Sequence, residues 1–256
     1  MQIGIVVPTL GTRFEYLKLC LDSIRKAGTS FILIVAPRDQ EFIDQLDDSL
    51  FDQVVFDPNL GLAAAIDLGI RSLPSSVLFV NWLGDDDLLS PNSLKISSEA
   101  LRSDPRIVLV YGGCNYIDEN SNLLWSNRSG RFATHLLKFG PQLIPQPGAL
   151  MRRDVYMSIG GLNSEYKWAF DLDLFIRLRR IGRFKFIDAT LASFRWHEGS
   201  LSVGTRRGSV NEASRIRRNS HPRILQILSL LWEYPLRVLI FNAGKVISGR
   251  SNRFVD

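Results

Sequence analysis

Up to about residue 103 the chain alternates short apolar runs with longer amphipathic ones, and this admits little besides a largely parallel sheet flanked by helices. Ile3–Pro8 reads as a buried strand, 13–27 as an amphipathic helix, 31–35 as a second strand and Gln53–Phe56 as a third. Residues 61–73 have helical spacing, and 77–82 form another apolar strand that ends at Gly84-Asp85-Asp86-Asp87. In an open α/β sheet, ligands bind at the carboxyl ends of strands. Both Pro8-Thr9 and the acidic run fall at such ends.

The second half is less regular. Residues 91–103 are predicted helical and 107–112 a strand, while 115–131 is polar enough for a hairpin or an exposed loop. After Gln146-Pro147-Gly148 come a short strand at 149–151 and a short helix at 154–159, with Asp154 as its cap and Gly160-Gly161 as its stop. A clear helix runs 171–181, with Leu174, Phe175, Leu178 and Ile181 on one face and Gly182 past its end. Residues 205–222, rich in Arg, Ser and Asn, read as a mobile linker or lid. The apolar stretch 223–247 is interrupted by Arg223, Glu233, Pro235 and Arg237, well short of the ~20 unbroken apolar residues that a spanning helix needs. Amphipathic helices lying on a membrane or closing over the domain are expected there.

With 256 residues, 45% of them apolar, one catalytic domain with a tail is the economical organisation: 1–204 as the domain, 205–256 as a basic, amphipathic helical extension. The net charge of +5 is concentrated in that tail. From residue 203 on, ten Lys and Arg face three Asp and Glu, so this stretch carries +7 and the remainder about −2. Motifs for RNA or DNA binding are absent from it, so no nucleic-acid partner is expected, and its apolar content favours an anionic lipid surface. A helical lid or a homodimer interface is the other use of such a tail. Cys20 and Cys114 lack metal-ligand spacing and read as core residues of a reducing compartment. The N-terminus passes directly into a strand without the features of a signal peptide, so a cytoplasmic protein is expected, with the tail at the inner membrane face.

Three consecutive carboxylates at the end of an apolar strand repel one another unless a cation neutralises them. Oxygen ligands suit Mg²⁺ or Mn²⁺, and a nucleotide diphosphate can complete the coordination. A solvated turn in which Asp86 or Asp87 caps the next helix is the other reading.

The order Val6-Val7-Pro8-Thr9, Gly61-Leu62-Ala63-Ala64-Ala65, Gly84-Asp85-Asp86-Asp87-Leu88-Leu89-Ser90-Pro91, Gly160-Gly161-Leu162-Asn163, Asp171-Leu172-Asp173-Leu174-Phe175 and Arg195-Trp196-His197-Glu198-Gly199-Ser200 resembles family 2 glycosyltransferases over roughly residues 3–202. The resemblance implies a GT-A fold, an α/β domain with a Rossmann-like, mostly parallel sheet. It also implies a nucleoside-diphosphate sugar donor, inversion at the anomeric carbon, and a saccharide or lipid-linked saccharide acceptor in polysaccharide or glycolipid synthesis. Pro8 and Thr9 would line the nucleotide base. Asp85, Asp86 and Asp87 would form the DxD-like motif, with Asp85 and Asp87 on the metal and Asp86 toward the donor. Asp171 matches the general base, a carboxylate that accepts the acceptor hydroxyl's proton. His197 falls where the family approaches the diphosphate, as a ligand of metal or phosphate. Gln146 and Trp168 would border the acceptor pocket. Without the family, Asp171 reads as the N-cap of its helix and Asp173 as the (i, i+4) partner of Arg177.

The chain also departs from the family pattern. The usual acidic turn after the second strand is Ala36-Pro37-Arg38-Asp39 here, leaving Asp39 as the carboxylate for the nucleotide. Ala65-Ile66-Asp67 replaces a customary Ala-Arg-Asn, and Phe170 stands where an acidic residue often precedes the base. A sugar nucleotidyltransferase would favour a glycine-rich basic loop after strand one, where Leu10-Gly11-Thr12-Arg13 supplies one glycine, and an oxidoreductase would need the missing GxGxxG. A binding protein that kept the fold and lost turnover, a scaffold in a polysaccharide assembly complex, is the alternative from a different class.

Overall fold

The computed structural model describes residues 1–127, 130–197, 206–228, 231–233, 235 and 238. Strand β1 (Ile3–Pro8) is buried along its whole length, as an unbroken apolar run must be when helices cover both faces of its sheet. It pairs in parallel with β2 (Phe31–Ala36) and with β4 (Phe79–Trp82), and β2 pairs in parallel with β3 (Gln53–Phe56). Helices α1 (Phe14–Ala27), α2 (Gln40–Asp44) and α3 (Leu62–Ser72) make the connections. Every element expected from the alternation is present, with α3 starting one residue past Gly61.

Beyond β4 come β5 (Leu88–Leu89), α4 (Ser93–Arg102), β6 (Ile107–Ile117), β7 (Leu123–Asn127), α5 (Ala133–Leu136), β8 (Leu150–Arg152), α6 (Arg153–Ser158), α7 (Phe170–Ile181) and β9 (Arg183–Arg195). The sheet runs β3-β2-β1-β4-β8-β6-β9-β5, with β7 paired to β6. Strand β8 is antiparallel to both β4 and β6, whereas β9 is parallel to β6. Strand β6 outruns its predicted end because its distal half leaves β8 and pairs with β7, Cys114 opposite Asn127 and Tyr116 opposite Trp125. That extension carries chain from the main sheet to the edge of the acidic run.

Two cores cover the two faces. Leu17, Cys20, Leu21 and Ile24 of α1 pack with Leu94 and Leu101 of α4 on one. On the other, Ala63, Ile66 and Ile70 of α3 meet Leu172, Phe175 and Leu178 of α7. Both cysteines are buried thiols.

Several local expectations are corrected. Asp154 lies inside the first turn of α6, whose N-cap is Arg152, and its carboxylate accepts the Val155 N–H. Ile181 is 59% exposed because α7 ends there, while Leu174, Phe175 and Leu178 are buried as expected. His221 is buried against Phe139 and Trp232 with Nε2 3.1 Å from the Lys138 carbonyl.

The linker reading fails for residues 206–219. They form α8 (Arg206–Asn219), whose Ile216 is buried in the α7 core and whose buried Arg217 pairs with Glu233 at 3.0 Å. A further helix, α9 (Arg223–Leu228), follows. No helix among the described residues is long and apolar enough to cross a membrane. Residues 239–256, the last part of the predicted amphipathic tail, lie outside the described residues.

Candidate active site

The acidic run leaves β4 in a tight turn, closed by Asp87 N–H donating to the Gly84 carbonyl at 3.1 Å. A Cβ on Gly84 would lie 2.9 Å from Asp86 Oδ1 and 3.2 Å from Asp87 Oδ2, so glycine permits both carboxylates to fold back over the turn. Asp85 and Asp87 are each only 4% exposed. Such burial is costly for a carboxylate unless it is compensated.

The compensation differs for each. Asp85 Oδ2 accepts the Thr9 hydroxyl at 2.6 Å, and its Oδ1 lies 3.2 Å from Arg13 Nη2. Thr9 is thus buried at the end of β1, where its hydroxyl also accepts Gly11 N–H at 3.0 Å. Asp86 Oδ2 meets Arg13 Nη1 at 2.6 Å and His197 Nε2 at 2.8 Å. The same Arg13 nitrogen is 2.9 Å from His197 Nε2, which cannot serve both partners at once: as an acceptor it takes the Arg13 proton, as a donor it serves Asp86. Asp87 Oδ1 accepts the backbone N–H of Arg195 at 3.0 Å.

Charge follows this arrangement. Burial pushes the Asp85 carboxyl up, partly countered by Thr9 and Arg13. Burial also raises Asp87, well above the ordinary range, with the Asp86 charge adding to it. For Asp86 burial acts in the same direction, but the His197 hydrogen bond and Arg13 outweigh it and hold the group below its ordinary value.

Arg195, fully buried, ties this turn to the β6–β7 hairpin. Its Nε donates to the Asp86 carbonyl at 3.0 Å, and its Nη1 to the carbonyls of Asp118 at 2.8 Å and Glu119 at 3.1 Å. Its guanidinium lies 4.4 Å from the ring centroid of Tyr16. Beside it, Tyr116 stacks on Trp125 at 4.3 Å, and Trp196 packs edge-on to Trp125 at 5.3 Å. Burial raises the Tyr116 phenol, and the charges of Asp87 and Asp171 both add to the shift, so this aromatic cluster lies within electrostatic reach of both carboxylates.

Asp171 occupies the first turn of α7, one residue inside its start, and the N-cap is Ala169. Its Oδ1 accepts Leu172 N–H at 2.8 Å and its Oδ2 lies 3.4 Å from Gln142 Nε2. Burial pushes its carboxyl above the ordinary value. The chain leading into α7 is held from α8: the Glu212 carboxylate accepts the N–H groups of Lys167 at 2.9 Å, Trp168 at 2.6 Å and the N-cap Ala169 at 2.7 Å. Asp173 pairs with Arg177 at 2.6 Å as expected.

The remaining predicted residues are placed as follows. Gln146 turns inward, its amide donating to the Trp82 carbonyl at 2.8 Å and to Asn81 Oδ1 at 3.1 Å. It braces the end of β4. Trp168 is half-buried, with its ring covered by Gly208 of α8, where a Cβ would come within 2.9 Å. Asp39 caps α2 by accepting the Glu41 N–H at 3.0 Å. Pro8 pairs with Val35 at the carboxyl end of β1. The structure therefore gathers Thr9, Asp85, Asp86, Asp87 and His197 into one hydrogen-bonded cluster. Gln146 is tied to the strand end beside it, and among the described residues no hydrogen bond or ion pair joins Asp39 to the cluster. Glu198 and Gly199 to Val203 lie outside the described residues.

Arg13, Arg195 and Glu212 were not singled out from the sequence. Arg195 and His197 share one motif, and an arginine beside a site histidine at a strand end was a usable signal; Glu212 left none, because its partners are 43 to 45 positions away.

No protein-family profile matches the chain, and no curated protein sequence is similar to it. Solved structures are similar in fold. Residues 1–349 of S. aureus TarS superpose with a TM-score of 0.63 at 13% identity, over 93% of this chain and 71% of that one, and the same protein in complex with UDP-GlcNAc gives 0.63 at 14%, over 86% and 66%. The mannosyltransferase PcManGT from Pyrobaculum calidifontis, in complex with GDP-Man and Mn²⁺, gives 0.64 at 13%, over 96% and 75%. The fold is that of GT-A-type glycosyltransferases, as the sequence resemblance implied.

Proposed function

We propose that the protein is an inverting glycosyltransferase that moves a sugar from a nucleoside-diphosphate sugar to a hydroxyl of a saccharide or lipid-linked acceptor. The observation that carries this reading is the buried acidic turn at the carboxyl end of β4, hydrogen-bonded to Thr9 at the end of the neighbouring β1 at 2.6 Å, with Asp171 at the start of α7 as the candidate base. The glycosyltransferase fold supports it, with UDP-GlcNAc and GDP-Man bound in the similar proteins.

In this reaction the acceptor oxygen bonds to the anomeric carbon as the bond to the diphosphate breaks on the opposite face. Asp171 takes the hydroxyl proton at the free lone pairs of its carboxylate. Its raised pKa makes it a stronger base than an exposed aspartate. Thr9 and Pro8 close the nucleotide end, and Asp39 stands at the neighbouring strand end.

The acidic turn fits a divalent ion by its chemistry. Among the described residues the side chain of buried Asp87 has a single backbone N–H as hydrogen-bond partner, and Asp85 shares Arg13 as its cation. Among the described residues no three acidic or histidine side chains are arranged as a complete cage. Two carboxylates with diphosphate oxygens are the usual holder of Mg²⁺, so Asp85 and Asp87 would hold Mg²⁺ or Mn²⁺ together with the donor. When bound, the ion offsets the charge growing on the departing diphosphate. His197, 2.8 Å from Asp86, would hold metal or phosphate on giving up that contact.

A second reading, a scaffold without turnover, is favoured by one observation: Arg13 already neutralises Asp85 and Asp86. Calorimetric titration of UDP, GDP and dTDP, with Mn²⁺ and with chelator, separates the two. Metal-dependent binding of one nucleotide, lost in Asp87→Ala, with slow hydrolysis of its sugar conjugate, is the enzyme's outcome. Absence of binding by every diphosphate would leave the scaffold.

A further inference from the structure

Toward the end of α7 away from Asp171 the structure has a concave feature. A cavity of about 270 Å³ lies between α5 and the last turns of α7, lined by His135, Lys138, Arg179, Arg180, Phe139 and Ile176 among others. None of its lining residues is acidic. Among the described residues, Lys138, Arg179 and Arg180 make no ion pair; the two arginines donate to the carbonyls of Gly182 and Ser220. Cations at a helix C-terminus complement its partial negative charge, which accounts for the two arginines of α7 alone. It does not account for Lys138 and His135 arriving from another element.

Apolar side chains are exposed in the cavity's lining and in the segments adjoining it in sequence. Phe132 is 67% exposed, Phe139 51% and Ile181 59%, and α9, which begins just after the His221 that packs on Phe139, exposes Ile224 at 76%. A pocket that concentrates positive charge attracts a phosphate group, and exposed rings around it have no use for a free ion in water. Together the two features match the interface of a bilayer, with phosphates and glycerol backbones at one depth and acyl chains just below.

We propose that this cavity seats the phosphate headgroup of an anionic lipid and that Phe139 and the exposed apolar side chains of the adjoining segments enter the bilayer, docking the protein on a membrane through the α5–α7 face. The inference does not depend on the glycosyl-transfer reading. It transfers the membrane contact expected of the tail to a defined surface of the folded domain. Asp171 in the first turn of α7 and Arg180 in its last are about 14 Å apart along the axis, so the docked face and the base are fixed relative to each other by one helix.

The test is sedimentation of the full chain with vesicles of neutral phosphatidylcholine and with vesicles about one third phosphatidylglycerol. The protein is expected to sediment with the anionic vesicles only, and Lys138→Ala/Arg179→Ala/Arg180→Ala to bind about a hundredfold more weakly. Phe132→Ser, at an exposed position that cannot unfold the core, is expected to weaken binding about tenfold. Thermal melting reports whether the triple variant is folded; if it is not, the Phe132→Ser result decides. Wild-type protein that stays in the supernatant, or variants that sediment as well as wild type, would overturn the proposal. So would inorganic phosphate binding in a titration without vesicle recruitment, which identifies a free anion as the occupant.

Discussion

Replacing Glu212 tests whether α8 holds the start of α7. In Glu212→Ala three backbone N–H groups lose one carboxylate acceptor. Lys167 is exposed, so water takes over its N–H; Ala169 is 5% exposed and Trp168 half-buried, so their N–H groups are left short of partners. A hydrogen bond to a charged group contributes about 1.5–3 kcal/mol, and capping substitutions cost about 0.5–2 kcal/mol. Two such bonds lost in a partly wetted setting put the cost at about 3 kcal/mol.

Glu212→Gln should cost about 1 kcal/mol, because both buried N–H groups donate to Oε2 and an amide oxygen can replace it. Urea unfolding of the three proteins measures this. An Ala variant within about 0.5 kcal/mol of wild type refutes this bracing role. The Gln variant carries a second readout. Burial is the chief cause of the raised Asp171 carboxyl and the Glu212 charge adds to it, so removing that charge moves the acid limb of the kcat/KM profile to lower pH. An acid limb that stays in place, with stability lost, would make Glu212 purely structural.

Three further outcomes follow from the same geometry. Asp171→Asn should lower kcat about a hundredfold or more while raising the melting temperature at neutral pH. The sign comes from its raised pKa in the folded state: the cost of ionising it is absent below the unfolded value and grows as pH rises through the folded one, so the stabilisation should vanish in acid. A variant no more stable than wild type at pH 7 contradicts the burial account. Gly84→Ala should weaken metal-dependent nucleotide binding at least tenfold, because its Cβ would displace Asp86 Oδ1 and Asp87 Oδ2; unchanged titration isotherms would show that the turn adapts. In Arg13→Ala, Mn²⁺ should bind more tightly without nucleotide, since Asp85 and Asp86 lose their resident cation, and calorimetry showing weaker binding would refute that competition.

Much of the sheet was legible because its strands are continuous apolar runs and its helices have regular spacing. Strands β1 and β3 match their predicted bounds, and Gly160-Gly161 stop α6 with positive φ values of 87° and 77°. What escaped was set by tertiary contact. β5 is two residues long and exists because Leu88 and Leu89 pair with Ser193 and Ala192 of β9. Helix α8 looked like linker because its polar composition hides the one stripe, Ala213 and Ile216, that packs on α7. The acidic turn was legible as a cluster of charge at a strand end, but its neutralisation by Arg13 was not, since 72 to 73 positions separate the partners.

Arg13 gives the acidic turn a built-in placeholder. A site whose anions were left bare would make the empty protein dependent on ion supply for its integrity, as many small metal-held domains are. Here the Arg13 guanidinium spans Asp85 and Asp86, so part of the turn's charge is offset by the chain itself. Under the proposed metal dependence, scarcity of the ion would silence turnover without undoing the turn, and a return of supply would restore it without new synthesis.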